Sequence, residues 1–208
     1  MELSYRQLEV ILAAYLNVHP DKIGTFRSRM KQLQRLEFPA GVNIGRGVRM
    51  TYSAEHLLQL AVAFEVIGTG LAAKAATDLV SEYWERFQAA FGRAHRLQAY
   101  GSDAETFVCI EGRPPVEPEH PSSDIVSVHD LTSLTEYVLS AQGFRLPKRA
   151  GMILIRADSL LERVSQLARD VAQVPHAKWA PEYAVWAKSR DDNQQLWDKA
   201  DGGPEIPF

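Results

Sequence analysis

The first regular pattern in the chain is a helical repeat of apolar residues that begins just after Ser4. Its apolar positions are Leu8, Ile11, Leu12 and Tyr15. Because these residues recur at helical spacing, they predict a helix with a single buried stripe. Ser4 and Gln7 have the spacing of a capping box, which predicts where the helix begins. The segment 17–20 contains a proline, which cannot continue a helix interior, and so predicts the end.

A second amphipathic helix is predicted within residues 21–36. Its apolar side comprises Ile23, Phe26, Met30, Leu33 and Leu36. At about 100° per residue, the opposite side carries long hydrogen-bond donors and one hydroxyl, with no acidic residue among them. These outward positions are Arg27, Ser28, Lys31, Gln32 and Arg35. The positive charges on this face repel one another, and binding to a phosphate backbone would relieve that repulsion.

A short hairpin is predicted for residues 41–52, where apolar residues alternate on both sides of a Gly-Arg-Gly turn centred on Arg46. The hairpin presents Arg46 at a flexible tip and Arg49 in its second strand. The alternative for both arginines is a plain solvated hairpin. Ser53 then caps an apolar third helix, which is expected to end at residues 68–70.

One long helix is predicted from residue 71 to about residue 96. At about 1.5 Å per residue it would be roughly 39 Å long. Its apolar side consists of Leu71, Ala75, Leu79, Trp84, Phe87 and Phe91. A long helix with large aromatic residues on one stripe needs a partner, so we expect it to join two copies of the chain.

The remainder of the chain predicts a small α+β region. Strands are expected at 105–110, 124–128 and 151–155, and helices at 130–141 and 159–173, with Asp130 and Asp158 as caps. The predicted fold is therefore mainly α with a small α+β C-terminal part. Its segments are a DNA-binding unit at 1–70, a long helix at 71–100, the α+β unit at 101–174 and a polar tail at 175–208 that contains Trp179, Trp186 and Trp197. Residues 201–208 are expected to be disordered.

Composition and length are those of an ordinary globular protein. The 208 residues are 46% apolar and 24% charged, and the net charge is −3. No apolar run approaches the roughly 18 residues of a membrane span, and the N-terminus does not resemble a secretory signal. We therefore expect a cytoplasmic protein with no membrane partner.

Charge is distributed unevenly along the chain. Residues 1–60 carry eight basic and five acidic side chains, and between residues 20 and 50 seven basic residues stand against two acidic ones. A basic segment on an acidic body is the electrostatic pattern of a protein that binds a polyanion. The alternative is a solvated helix face, or for Arg35 a surface ion pair with Glu37 or another neighbour.

Signals for catalysis, metals and cofactors are absent from the sequence. The six histidines are widely separated, and the single cysteine, Cys109, excludes an internal disulfide and any multi-thiolate metal site. Cys109 lies in an apolar predicted strand, so we expect a buried, unreactive thiol. No phosphate-binding glycine loop or nucleophile elbow occurs. We therefore expect no enzyme, no metal site and no cofactor.

The N-terminal order of helix, turn, basic helix, glycine-tipped hairpin and helix is that of a winged helix-turn-helix. Three motifs within it resemble those of the MerR-like transcription regulators, over roughly residues 4–80. They are Thr25-Phe26-Arg27 at the start of the second helix, Leu36-Glu37-Phe38-Pro39 at its exit, and Arg49-Met50-Thr51-Tyr52-Ser53 at the end of the wing.

The resemblance implies which side chains contact DNA. Arg27, together with Arg49 and Tyr52 of the wing, would hold phosphates, although Tyr52 is equally suited to packing under the wing. The exposed side chains of the second helix would contact base edges or phosphates. The complete set of expected DNA-binding residues is Thr25, Arg27, Ser28, Lys31, Gln32, Arg35, Arg46, Arg49 and Tyr52.

The resulting hypothesis is a homodimeric, sequence-specific regulator of transcription that binds double-stranded DNA. Its C-terminal region would bind an unknown effector or a protein partner. Two alternatives stay open. The chain could instead be a protein-interaction or scaffold module, whose basic helix fits an acidic groove, or a nonspecific architectural DNA binder.

Overall fold

The computed structural model describes residues 2–42, 50–111, 125–143, 152–175 and 183–186. The fold is mainly helical with two small sheets. The mainly α character and the C-terminal strands agree with the hydrophobic pattern, whereas the short strand at Leu3–Ser4 is not predicted by it. The helices are α1 Tyr5–Tyr15, α2 Ile23–Arg35, α3 Ala54–Gly68, α4 Ala73–Glu82, α5 Trp84–Ala99, α6 Leu131–Gly143 and α7 Ala157–Asp170. The strands are β1 Leu3–Ser4, β2 Thr51–Tyr52, β3 Phe107–Glu111, β4 Val126–His129 and β5 Met152–Arg156. Pro20–Lys22 forms a 3₁₀ turn before α2.

The helices α1 and α3 begin at the predicted serine caps. The hydroxyl of Ser4 accepts a hydrogen bond from the Gln7 amide (3.3 Å), and the Gln7 side chain accepts one from the Ser4 amide (3.0 Å). At α3, the His56 amide donates to the Ser53 hydroxyl (3.2 Å), and the Ser53 amide donates to Nδ1 of His56 (3.1 Å). Both reciprocal pairs satisfy amides that a helix start leaves without intrahelical partners.

The helices α1 and α2 end in the same way. Asn17 and Glu37 adopt left-handed backbone angles, with φ of 51° and 58°. The next amide then donates to the carbonyl five residues back, at 2.9 Å for Val18 and 3.1 Å for Phe38. This closure satisfies carbonyls at the helix C-terminus and turns the chain sharply. Both ends fall where the sequence predicts them.

The prediction of one long helix from residue 71 to about residue 96 is wrong. The chain forms α4 and α5, with a break at Tyr83, whose φ and ψ are −106° and 18°. The break lets the two helices face different parts of the core, because α4 packs against α2 and α3 whereas α5 packs against α7 and β4. Trp84, Phe87 and Phe91 are consequently buried within one chain. The aromatic stripe is therefore unavailable to a second copy.

The C-terminal sheet is antiparallel, in the order β4-β3-β5. The central strand is buried on both faces, and its Cys109 pairs with Ser127 of β4 and Leu154 of β5. All three strands lie within two residues of their predicted positions. Asp130 caps α6 as expected, since its Oδ1 accepts from the Ser133 amide at 2.7 Å.

Asp158 does not cap α7, contrary to the prediction. The N-cap position belongs to Arg156, and Asp158 lies in the first turn. Its Oδ1 accepts a hydrogen bond from the Thr106 amide (3.1 Å), and its Oδ2 pairs with Arg156 (2.7 Å). The carboxylate thus links α7 to the chain just before β3 instead of closing the helix.

The segments predicted as separate units share one buried core, which extends from Leu3 to Tyr183. Helix α7 packs against both α1 and α5, and the Gln7 side chain donates to the Ala172 carbonyl (3.4 Å). Trp186 of the predicted tail contacts Trp84, with ring centroids 6.3 Å apart. Trp179, Trp197 and residues 201–208 lie outside the described residues. In the described part of the chain, no helix has the length and apolar character needed to cross a bilayer.

Candidate nucleic-acid interface

The polar side of α2 is exposed along its whole length. Its buried side chains are Phe26, Met30 and Leu33. The predicted contact residues on the opposite side are all exposed: Thr25, Arg27, Ser28, Lys31, Gln32 and Arg35. Four of them follow steps of three, four and three residues, so the structure brings together a continuous polar strip. The amphipathic character predicted for this helix is therefore confirmed.

Arg27 lies at the edge of this strip and is paired with Glu9 of α1. Its Nε and Nη2 atoms lie 2.9 and 2.8 Å from Oε1 of Glu9. Glu9 is only 8% exposed, whereas the Arg27 side chain is 55% exposed. The hydrogen bond with Glu9 raises the pKa of Arg27 above its ordinary value. Arg27 therefore holds α2 against α1, and one side of its guanidinium still faces solvent.

Tyr52 is not on the exposed surface, and its predicted phosphate contact does not fit this position. It is 1% exposed, and its hydroxyl accepts a hydrogen bond from Nε2 of Gln34 at 3.0 Å. Burial raises the pKa of Tyr52. The apolar ring gains more from the core beneath β2 than from solvent, so the packing alternative describes this residue.

The predicted hairpin is described only at its ends. Residues 43–49 lie outside the described residues, and with them Arg46 and Arg49. At the return end, β2 pairs antiparallel with β1, so that Thr51 lies opposite Ser4. The Gln34–Tyr52 hydrogen bond places this return end beside the last turn of α2.

Positive charge dominates the exposed surface of α2 and of the turn before it. Five exposed basic side chains occur in the described segment 19–42: Lys22, Arg27, Arg29, Lys31 and Arg35. Two exposed carboxylates, Asp21 and Glu37, lie at the two ends of the segment. A local excess of cations at this density attracts a polyanion over distances of about a Debye length.

Two side chains that support the exposed face of α2 are not predicted from the sequence pattern. Glu9 holds Arg27, and Gln34 ties β2 to α2. For Glu9 a signal was present, because a carboxylate beside the apolar stripe of α1 needs a cation when it is buried. Gln34 carries no such signal, because its side chain is uncharged and its contact with Tyr52 is set by the tertiary fold.

Cys109 is buried, as predicted, and burial raises its pKa to about 11. A protonated thiol inside a central strand is a poor nucleophile. Among the described residues, no cluster of three or more His, Cys, Asp or Glu side chains has a geometry that could hold a metal ion.

In comparisons with known proteins, no family model matches the chain, and no curated protein is significantly similar to it. The resemblance to the MerR-like regulators therefore stays a prediction that rests on the quoted motifs.

Proposed function

We propose that this chain is a sequence-specific regulator of transcription that binds double-stranded DNA through the exposed face of α2. The observation that carries the proposal is the polar strip of this helix. It presents several cations, a glutamine and two hydroxyls, and no carboxylate interrupts it between Asp21 and Glu37. A helix of this kind fits the major groove, where such donors reach base edges and phosphates.

Within the strip, the side chains differ in the contacts they can make. Lys31 and Arg35 project from the exposed side and supply phosphate contacts or, for arginine, a bidentate contact to guanine. Gln32 lies beside Arg35 on the helix surface, one turn from Ser28, and suits adenine. The Ser28 hydroxyl already donates to the Gly24 carbonyl at 3.1 Å, so it offers mainly its acceptor lone pairs.

Arg27 has a double role in this proposal. Two of its three guanidinium nitrogens face Glu9, which fixes the angle between α1 and α2. Its solvent-facing side donates to a phosphate, and the fixed orientation lowers the entropic cost of that contact. Replacing Arg27 would therefore disturb both the helix orientation and the contact, which makes it a poor choice for a test of DNA binding.

The proposed regulator binds DNA as a homodimer, because two equivalent half-sites on one duplex match a two-fold axis of the protein. The dimer surface lies outside the Trp84, Phe87 and Phe91 stripe, since those side chains are already buried within one chain. The C-terminal α+β part is proposed to contact an effector or a protein partner.

The experiment is selection of bound fragments from a random double-stranded DNA pool at near-physiological salt. The test variant is Lys31→Ala with Arg35→Ala. The control is Arg163→Ala with Arg169→Ala, which removes the same charge from exposed positions on α7. We expect an enriched inverted repeat for the wild type and the control. For the test variant we expect a loss of affinity of at least about tenfold and a salt slope smaller by about two.

Other results of the same selection would support one of the two alternative functions. Binding without enrichment, with a steep salt slope, indicates a nonspecific architectural binder. If the folded wild type binds no DNA at all, the proposal is wrong, and partner pull-downs then test the scaffold alternative. Equal losses in the test and control variants would show that only net charge matters, which also contradicts readout by α2.

A further inference from the structure

A cavity of about 400 Å³ opens beside the start of α2, on the flank opposite Arg27. It lies between the C-terminal end of α1, the first half of α2 and the C-terminal end of α3. Its volume is at the small end of the range for ligand pockets, about 300–1,000 Å³, and suits one or two fused rings.

The inner wall of the cavity is aromatic and well supported. Phe26 of α2 and Phe64 of α3 both line it, with ring centroids 5.5 Å apart, and Ile67 extends the apolar wall. Both phenylalanines are at most 5% exposed, so the core holds them in place and only a small part of each ring reaches the cavity. A wall that the core already supports does not collapse into the cavity, so an apolar group could bury surface there without reorganising the fold.

The rim of the cavity is cationic. Its cations are Lys22 and Arg29, and both are exposed, as is the neighbouring lining residue His19. Of the lining residues, none is acidic. The carboxylate nearest along the chain, Asp21, is turned toward Nδ1 of His19, 3.5 Å away. Lys22 and Arg29 thus remain as fixed positive charges above an aromatic wall.

We propose that this cavity binds a small organic anion that carries an aromatic or similarly apolar group. The apolar group lies against Phe26 and Phe64, and a carboxylate or sulfonate pairs with Lys22 and Arg29. A neutral apolar molecule would leave the rim cations without a counter-charge, and a bare anion would leave the apolar wall in contact with water. The two halves of the site therefore select an amphipathic acid.

Occupancy of the cavity opposes DNA binding, a step that rests on the proposed function. Arg29, which follows Ser28 on α2, lines the cavity, and Thr25 belongs to both the polar strip and the lining. An anion bound here reduces the positive charge beside the proposed phosphate contacts. Because coupling between two sites is reciprocal, DNA also weakens binding of the acid.

The test uses 2-naphthoate as the probe and ¹⁵N-labelled protein without DNA. We expect saturable amide shifts at the cavity, confined to the ends of α1 and α3, the turn from Val18 to Lys22 and the first half of α2. Acetate, which lacks the ring, and 2-naphthamide, which lacks the charge, are each expected to bind at least about fivefold more weakly.

Variants of Lys22 and Arg29 test whether these rim cations bind the carboxylate of naphthoate. Lys22→Ala and Arg29→Ala are each expected to weaken naphthoate binding by about two- to fivefold, which is typical of exposed ion pairs. The double variant Arg163→Ala with Arg169→Ala should bind as the wild type does. Shifts scattered over the surface, equal binding of the amide, or no effect of the rim variants would overturn the proposal.

The two proposals fail separately. Naphthoate titrations contain no DNA, so cavity binding can persist when the chain proves not to bind DNA. If both ligands bind, saturating naphthoate should weaken DNA binding severalfold, whereas the same concentration of acetate should not. If naphthoate binds the cavity without changing the affinity for DNA, the cavity is a binding site but its occupancy does not oppose DNA binding.

Discussion

The guanidinium of Arg27 and the carboxylate of Glu9 join α2 to α1, with Nη2 of Arg27 lying 2.8 Å from Oε1 of Glu9. Glu9 is almost buried, and the Arg27 guanidinium is its hydrogen-bond partner. The pair has a functional consequence, because it sets the direction of the polar strip that we propose to contact DNA. Removing one member and removing both therefore have different effects.

Arg27→Ala is expected to lower the midpoint of thermal unfolding, because it leaves the Glu9 carboxylate buried without a cation. Adding Glu9→Leu should restore much of the loss, since an apolar side chain suits that position beside the core. Thermal unfolding followed by circular dichroism compares the two single variants with the double variant. A double variant less stable than Arg27→Ala alone would contradict the pairing argument.

Ser53→Ala is expected to reduce the free energy of unfolding by about 1 kcal/mol, because the His56 amide loses its acceptor at the start of α3. Ser53→Gly should reduce the free energy of unfolding by only about a few tenths of a kcal/mol, since glycine also suits an N-cap. Ser81→Ala, at an exposed position within α4, serves as the control and should not destabilise. Urea unfolding measures all three. Equal losses for alanine and glycine would rule out a capping role.

Asp130 is expected to contribute stability that depends on pH. Hydrogen bonds from the Ser133 amide, and then from Arg93, hold the pKa of its carboxyl below the ordinary value. The unfolded chain therefore binds the proton more readily, and the contribution, complete above about pH 4, disappears as the pH falls through the lowered pKa. Asp130→Asn keeps the cap and should flatten this acid dependence.

The measurement for Asp130 is urea unfolding between pH 3 and pH 7. Asp130→Ala should also lose the cap, which costs about 1 kcal/mol at neutral pH. A wild type and an Asp130→Asn variant with the same acid dependence would show that other carboxylates account for it.

Cys109 is expected to resist alkylation in the native protein. Burial raises its pKa to about 11, so at pH 8 the thiol is protonated and shielded. Iodoacetamide should modify it only after unfolding, as mass spectrometry would show.

The raised pKa of Cys109 also predicts that stability falls as the pH rises above about 9, where the thiol of the unfolded chain ionises first. Cys109→Ala should reduce that alkaline loss, and rapid native alkylation would contradict the buried position.

A fragment of residues 1–100 is expected to lose the cooperative unfolding of the full chain. The face of α1 that packs on α7, and the aromatic face of α5, would both become exposed to water. Calorimetry of the fragment and the full chain makes the comparison. A fragment that unfolds as cooperatively as the full chain would show that residues 1–100 form an independent unit.

Local signals account for the parts of the fold that the sequence predicts well. Ser4 and Ser53 are followed by residues that complete a reciprocal cap, and the apolar residues of α2 recur on one side. Such patterns act over three or four residues, so they need no knowledge of distant contacts. The exposed strip of the candidate site follows from the same periodicity.

The errors arise where distant contacts override local preference. No proline or glycine lies between Leu71 and Trp84, so the sequence predicts an uninterrupted helix. Packing of α4 and α5 on different neighbours nevertheless breaks it at Tyr83. Aspartate is a residue type that commonly caps helices, but the Asp158 carboxylate instead accepts a hydrogen bond from the distant Thr106 amide. Tyr52 is likewise held by a residue distant in the chain, because its hydroxyl accepts a hydrogen bond from Gln34.

The sequence by itself therefore determined the serine caps of α1 and α3, the periodic faces and the concentration of positive charge on one helix, because these depend on residues a few positions apart. Only the tertiary structure decided that Arg27 is held by Glu9, that Tyr52 and the Trp84 stripe are buried, and that a cationic rim encloses an aromatic cavity. Those features join residues far apart in the chain, and their free energy depends on which surfaces the fold removes from water.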